Sequence, residues 1–178
     1  MLFRSDLLIA AAERGVTVRL LVDGVGSWTL RESFTKPLVD AGAQFAHFLP
    51  VTPIGRPWHV NLRNHRKIAI VDNAHAFIGS MNIGDEYRIR SGKTSDLYDY
   101  QVHCTGPLIA QLQHVFIDDW FFATKEKISD SFHEPISTSG NGIGQVVVGG
   151  PDNKHAPLHA MIDRKSTRLN SSHQIISY

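Results

Sequence analysis

Apolar residues along roughly the first 124 positions change period several times. Residues 6–14 and 30–41 repeat at helical spacing, and each window is followed by a glycine, Gly15 or Gly42, suited to ending a helix. Residues 16–22 and 44–48 are short β-rich runs. Residues 67–71 alternate, Asp72 and Asn73 supply turn chemistry, and 76–78 resume an apolar run, which predicts a β-hairpin. A further strand is predicted over 98–104. Pro107 then opens a helix whose Leu108, Ile109, Leu112, Val115, Phe116 and Trp120 share one face. Helices alternating with β-rich strands predict an α/β fold, a mixed β-sheet flanked by helices.

Beyond that unit the pattern fades. Residues 1–128 form the predicted domain, and 129–143, rich in Ser, Pro, Gly and His, read as a linker. Residues 144–162 read as the start of a second unit, opening with a strand at 145–148. The last sixteen residues, 163–178, carry no apolar period. They back-translate to a run resembling a sequencing-library adapter, so they are set aside from fold reasoning as an expected artefact.

Length and composition narrow the picture. At 178 residues, the chain suits one core of ordinary size. Eighteen basic against seventeen acidic residues give a charge of +1, without the excess of a dedicated nucleic-acid binder. Clustering matters more, for Arg56, His59, Arg63, His65, Arg66 and Lys67 crowd one segment. They predict a locally positive mouth that meets anionic head groups. Glu13, Arg14 and Arg19 interrupt the most apolar region, so no membrane-spanning run occurs. The single cysteine, Cys104, permits neither an intrachain disulfide nor a cysteine-rich metal site.

The richest chemistry lies in HRKIAIVDNAHAFIGSMN, residues 65–82. Residues two apart on a strand share a face, so His65 and Lys67 point together, and a hairpin brings Ser80 and Asn82 beside them. The patch then holds an imidazole near neutral pKa, an ammonium and two neutral hydrogen-bonding groups. A phosphate suits that inventory. Lys67 neutralises one oxygen, Ser80 and Asn82 donate to others, Gly79 allows close backbone approach, and His65 attacks phosphorus or moves a proton. Lys67 supplies the cation and no ladder of His and Asp at ligand spacing accompanies it, so neither a metal nor a cofactor is expected.

His65, Lys67, Asp72, Gly79, Ser80 and Asn82 resemble, position by position, the signature of the phospholipase D superfamily. RNHRK at 63–67, NIGDEY at 82–87, AAERGVTVRLLVDG at 11–24 and FIDDWFFAT at 116–124 are similar to bacterial cardiolipin synthases. The resemblance covers about residues 7–162. It implies one phospholipase D-like half-domain that exchanges phosphatidyl groups, or hydrolyses phosphodiesters, through a phosphohistidine.

Within that resemblance His65 is the nucleophile, Lys67 and Asn82 bind phosphate, and Ser80 is a supporting donor. Asp99 matches the carboxylate placed behind the imidazole, where it would hold the tautomer. Asp72 completes the catalytic motif, although its place at the hairpin bend suits a structural task. Glu86 is a weaker candidate for site electrostatics. The family pairs two motifs, and this sequence carries the pattern once, so a second half in cis or a homodimer partner is expected. The implied partners are a phosphatidylglycerol-like phospholipid and, for a full-length parent, the bacterial cytoplasmic membrane, with no nucleic acid. An upstream strand and membrane anchor are expected in that parent. The rival expectations are a superfamily nuclease active as a homodimer and a non-catalytic phosphate-binding half.

Overall fold

A computed structural model of the chain describes residues 5–49, 63–82, 99–128 and 142–149. The cluster residues Arg56 and His59, Glu86, most of the linker, most of 144–162 and the tail 163–178 lie outside the described residues.

Helix α1 (Ser5–Glu13) leads to strand β1 (Arg19–Asp23), helix α2 (Glu32–Asp40) and strand β2 (Gln44–Phe48). Both helices close as the glycines predict. Gly15 (φ +86°) donates to the Ala12 carbonyl at 2.8 Å while Val16 donates to Ala11 at 3.1 Å. Gly42 (φ +94°) repeats the arrangement, with bonds from Gly42 to Val39 at 2.9 Å and from Ala43 to Leu38 at 3.0 Å. Only glycine takes that left-handed backbone without strain. Because Val16 is committed to the first cap, β1 begins at Arg19, three residues later than the pattern suggested. β1 and β2 pair in parallel, from Arg19 opposite Gln44 to Asp23 opposite Phe48. Val18, Leu38 and Ala43 form the core beneath them with Leu8, Ile9 and Phe34.

The second ladder is an antiparallel meander of β3 (Lys67–Val71), β4 (His75–Gly79) and β5 (Gln101–Cys104). Asp72 and Asn73 take φ values of +51° and +53° at the bend, and Ala74 donates to the Val71 carbonyl at 3.1 Å. Both residue types tolerate that conformation, which matches the strand twist. One face of the ladder, with Ile68, Ile70, Ala76 and Ile78, packs on helix α3 (Leu108–Thr124) through Ile109 and Leu112. The outer face carries Val71, His75, Phe77 and His103, with the His75 Nδ1 and His103 Nε2 atoms 3.0 Å apart. α3 also packs on β2, where Phe48 and Phe122 stack with centroids 5.1 Å apart. Burying Trp120, Leu38 and Leu112 contributes about 1.5–3 kcal/mol each.

Two further strand expectations change. β5 begins at Gln101, because Tyr100 gives its N–H to the Asp99 carboxylate at 2.8 Å instead of to a ladder. Residues 145–148 form no strand: Val146 gives its N–H to the Gln111 side chain at 2.9 Å while its own side chain packs on the β3–β5 core. A strand needs a backbone partner, and here a helix side chain takes that role.

Candidate active site

The β3–β4 register decides which motif residues share an end of the hairpin. Lys67 lies opposite Gly79, so the segment entering β3 with His65 and the segment leaving β4 with Ser80 and Asn82 share one end of the hairpin. Asp72 sits at the other end, about 16 Å from Lys67 at ordinary strand rise. Its work is in the bend.

Lys67 is half-buried, and its Nζ donates to the His65 carbonyl at 2.8 Å. Ser80 donates its hydroxyl to Asp99 Oδ1, the atom that also accepts from the Tyr100 N–H. A Cβ on Gly79 would collide with the Tyr100 carbonyl and the Gln101 side chain. Gly79 therefore serves the close packing of β5 on β4, where the sequence suggested an approach for phosphate. That packing carries Asp99 to Ser80.

The electrostatics favour a nucleophile. The exposed His65 ring is held below its ordinary pKa of 6.5 by partial burial, then by Lys67 and Arg63, with Asp23 acting in the opposite sense. Its neutral form, which carries the free lone pair, is thereby favoured near pH 7. Burial and Arg63 also lower the Lys67 pKa, against the opposing charges of Asp23 and Asp99. Asp99 thus bears on Lys67 and Ser80, whereas the carboxylate whose charge reaches His65 is Asp23.

Asp23 ends β1, and its Oδ2 accepts from Arg63 Nε at 3.1 Å and Nη2 at 3.0 Å, and from the Gly26 N–H at 2.6 Å. Its Oδ1 accepts from the Asn64 backbone N–H at 3.0 Å. Asp119 on α3 accepts from Arg66 Nη1 at 2.8 Å on both oxygens, and from Asn64 Nδ2 at 2.8 Å. Arg66 Nη2 also donates to the Gly149 carbonyl at 3.0 Å. These ion pairs offset two of the charges counted toward the expected positive mouth, of which Arg56 and His59 lie outside the described residues. Arg63 and Arg66 are matched by carboxylates, and Lys67 gives its ammonium to the His65 carbonyl.

Sequence reasoning assigned no role to Asp23 or Asp119. The signal for Asp23 was its place at a strand-to-loop exit, where functional loops of α/β sheets gather. Asp119 was hidden among the apolar positions of α3. Among the described residues no group of three or more His, Cys, Asp or Glu side chains is placed to hold a metal ion. Nor is any described helix long and apolar enough to cross a membrane.

Residues 4–120 match the family model described as "Cardiolipin synthase, PLD-like domain". The chain belongs to this family. A cardiolipin synthase of Alkalihalophilus pseudofirmus is 38% identical over 152 residues, which is 84% of this chain and 30% of that protein. Cardiolipin synthase 2 of Bacillus cereus is 39% identical over 153 residues, again 84% and 30% of the two chains. A cardiolipin synthase of Geobacillus sp. strain WCH70 is 36% identical over 154 residues, covering 83% and 30%. The chain therefore spans about 30% of the length of these relatives. No solved structure matches it. The family assignment agrees with the phospholipase D-like signature and with the mixed α/β fold.

Proposed function

We propose that this chain supplies one half of a phosphatidyl-transferring active site that works through a phosphohistidine at His65. The observation that supports the reading is the register of Lys67 opposite Gly79, by which the segment carrying His65 and Lys67 and the segment carrying Ser80 and Asn82 share one end of a hairpin. Neutral His65 attacks the phosphorus of a phosphatidyl diester. A P–N bond forms as the P–O bond to the departing alcohol breaks, and that alcohol takes its proton from the histidine of a second, opposed motif. An incoming lipid hydroxyl returns a proton to the second histidine, attacks phosphorus and breaks the P–N bond. Lys67 and Asn82 hold the phosphate oxygens, and Ser80, whose single hydroxyl proton goes to Asp99, donates to them only when that bond is released.

The substrate in this reading is a phosphatidylglycerol-like phospholipid of the bacterial cytoplasmic membrane. The second motif lies in the remaining length that relatives possess, or in a second copy of the chain. A polypeptide joining this chain to a second motif should convert phosphatidylglycerol to cardiolipin, read by thin-layer chromatography. His65→Asn should abolish both the product and the covalent adduct. Undiminished exchange in that variant contradicts the reading, and plasmid nicking without lipid exchange would assign the site to nucleic-acid phosphodiester cleavage instead.

A further inference from the structure

Of the four residues preceding β3, three are tethered by side chain or backbone to carboxylates on other elements, and His65 is the fourth. The two carboxylates differ from the exposed ion pairs that contribute little to a fold. Their side chains are 12% and 17% exposed, and each grips two residues of the same short segment. Asn64 is held from both sides, by its backbone N–H on Asp23 and by its carboxamide on Asp119. Its remaining oxygen accepts the Arg66 N–H at 3.1 Å, which closes a small turn around residue 65. A segment lying between two separate anchors loses its freedom to swing.

We propose that Asp23 and Asp119 are positioning residues of the active site, which grip residues 63, 64 and 66 from β1 and α3 and so aim His65. Neither acts on the substrate, and both act on His65 through its neighbours. Asp23 has a second effect through space, because its charge opposes the lowering influence of Lys67 and Arg63 on the imidazole. The choice of His65 as the residue worth aiming rests on the proposed function, but the measurement does not require turnover.

Histidine-selective NMR of the 178-residue chain tests it, with the His65 signal assigned by its loss in His65→Gln. Asp23→Asn removes the carboxylate charge that, among the described residues, raises the His65 pKa, so the midpoint of the His65 titration should move to lower pH. Arg63→Gln removes a lowering charge, so the midpoint should move to higher pH. Loss of the fold cannot mimic the first result, since an unfolded chain returns the imidazole upward toward 6.5. Asp119→Asn should loosen the segment, taking the backbone order parameter at residue 65 from a rigid value near ~0.85 toward ~0.6. An unchanged or rising midpoint in Asp23→Asn, or an unchanged order parameter in Asp119→Asn, overturns the proposal. A chain that passes these tests yet forms no phosphohistidine would contradict the proposed function alone.

Discussion

Replacing Gly79 with alanine isolates the packing that brings Asp99 to Ser80. A Cβ there would lie inside 3.0 Å of both the Tyr100 carbonyl oxygen and the Gln101 Oε1, whereas ordinary contact begins at 3.4 Å. The Gln101 side chain can swing away. The Tyr100 oxygen is backbone and cannot rotate away, so β5 must withdraw from β4 at the first pair of the ladder. Overpacking of this kind costs about 1–3 kcal/mol. Replacing glycine recovers about 0.5–1 kcal/mol by restricting the unfolded chain, so a net loss of about 1–2 kcal/mol is expected. With a urea slope of roughly 1–1.5 kcal/mol per molar, the unfolding midpoint should fall by about 1 M. Because Tyr100 adjoins Asp99, the Ser80 hydroxyl should also exchange faster with water. An alanine variant with an unchanged midpoint and an intact Ser80 bond would refute the claim that this glycine serves strand packing.

Other outcomes follow from the same contacts. Phosphohistidine formation should be flat above neutrality and fall in acid, because protonation removes the His65 lone pair; its limb should lie below pH 6.5, and a limb at higher pH would contradict the lowered imidazole. Lys67→Ala should slow transfer about 100- to 1,000-fold, the effect of losing a donor to developing charge, and a change of less than tenfold would remove Lys67 from the site. Leu112→Ala should lower unfolding free energy by about 2–5 kcal/mol, since that side chain is 1% exposed beneath the β3–β5 ladder, and a loss under ~1 kcal/mol in chemical denaturation would contradict the packing. Trp120→Phe should raise the Glu126 pKa toward 4.5 by removing the indole hydrogen bond, the largest influence holding it down, as read by carboxyl NMR.

The sequence revealed the parts whose causes are local. Gly15 and Gly42 mark true helix ends, the alternation of 67–71 with its Asp72 and Asn73 bend marks a true hairpin, and the face of Ile109 and Leu112 is buried. The sequence also showed that the segments carrying His65 and Asn82 leave the hairpin at the same end, which the pairing of Lys67 with Gly79 matches. What stayed hidden depends on partners distant in sequence. Arg63 and Arg66 read as free charge until Asp23, forty residues earlier, and Asp119, fifty-three residues later, arrive beside them. Gly79 read as room for a ligand because nothing local announces the Tyr100 carbonyl. The run at 145–148 has the composition of a strand, but Gln111 takes the Val146 N–H that a ladder would need. Asp99 was read as a partner of the imidazole, and its hydrogen bond with Ser80 depends on how β5 seats against β4.

A tetrahedral anion titrated into the isotope-labelled chain puts the gathering of the motif ends to the most direct test. Dimethyl phosphate, a diester without lipid tails, should produce saturable shifts at His65, Lys67, Ser80 and Asn82, and His75 and His103 on the outer face of the meander should stay still. Shifts confined to that outer face, or none at the four motif residues at saturating diester, would show that this end of the hairpin does not receive a phosphodiester.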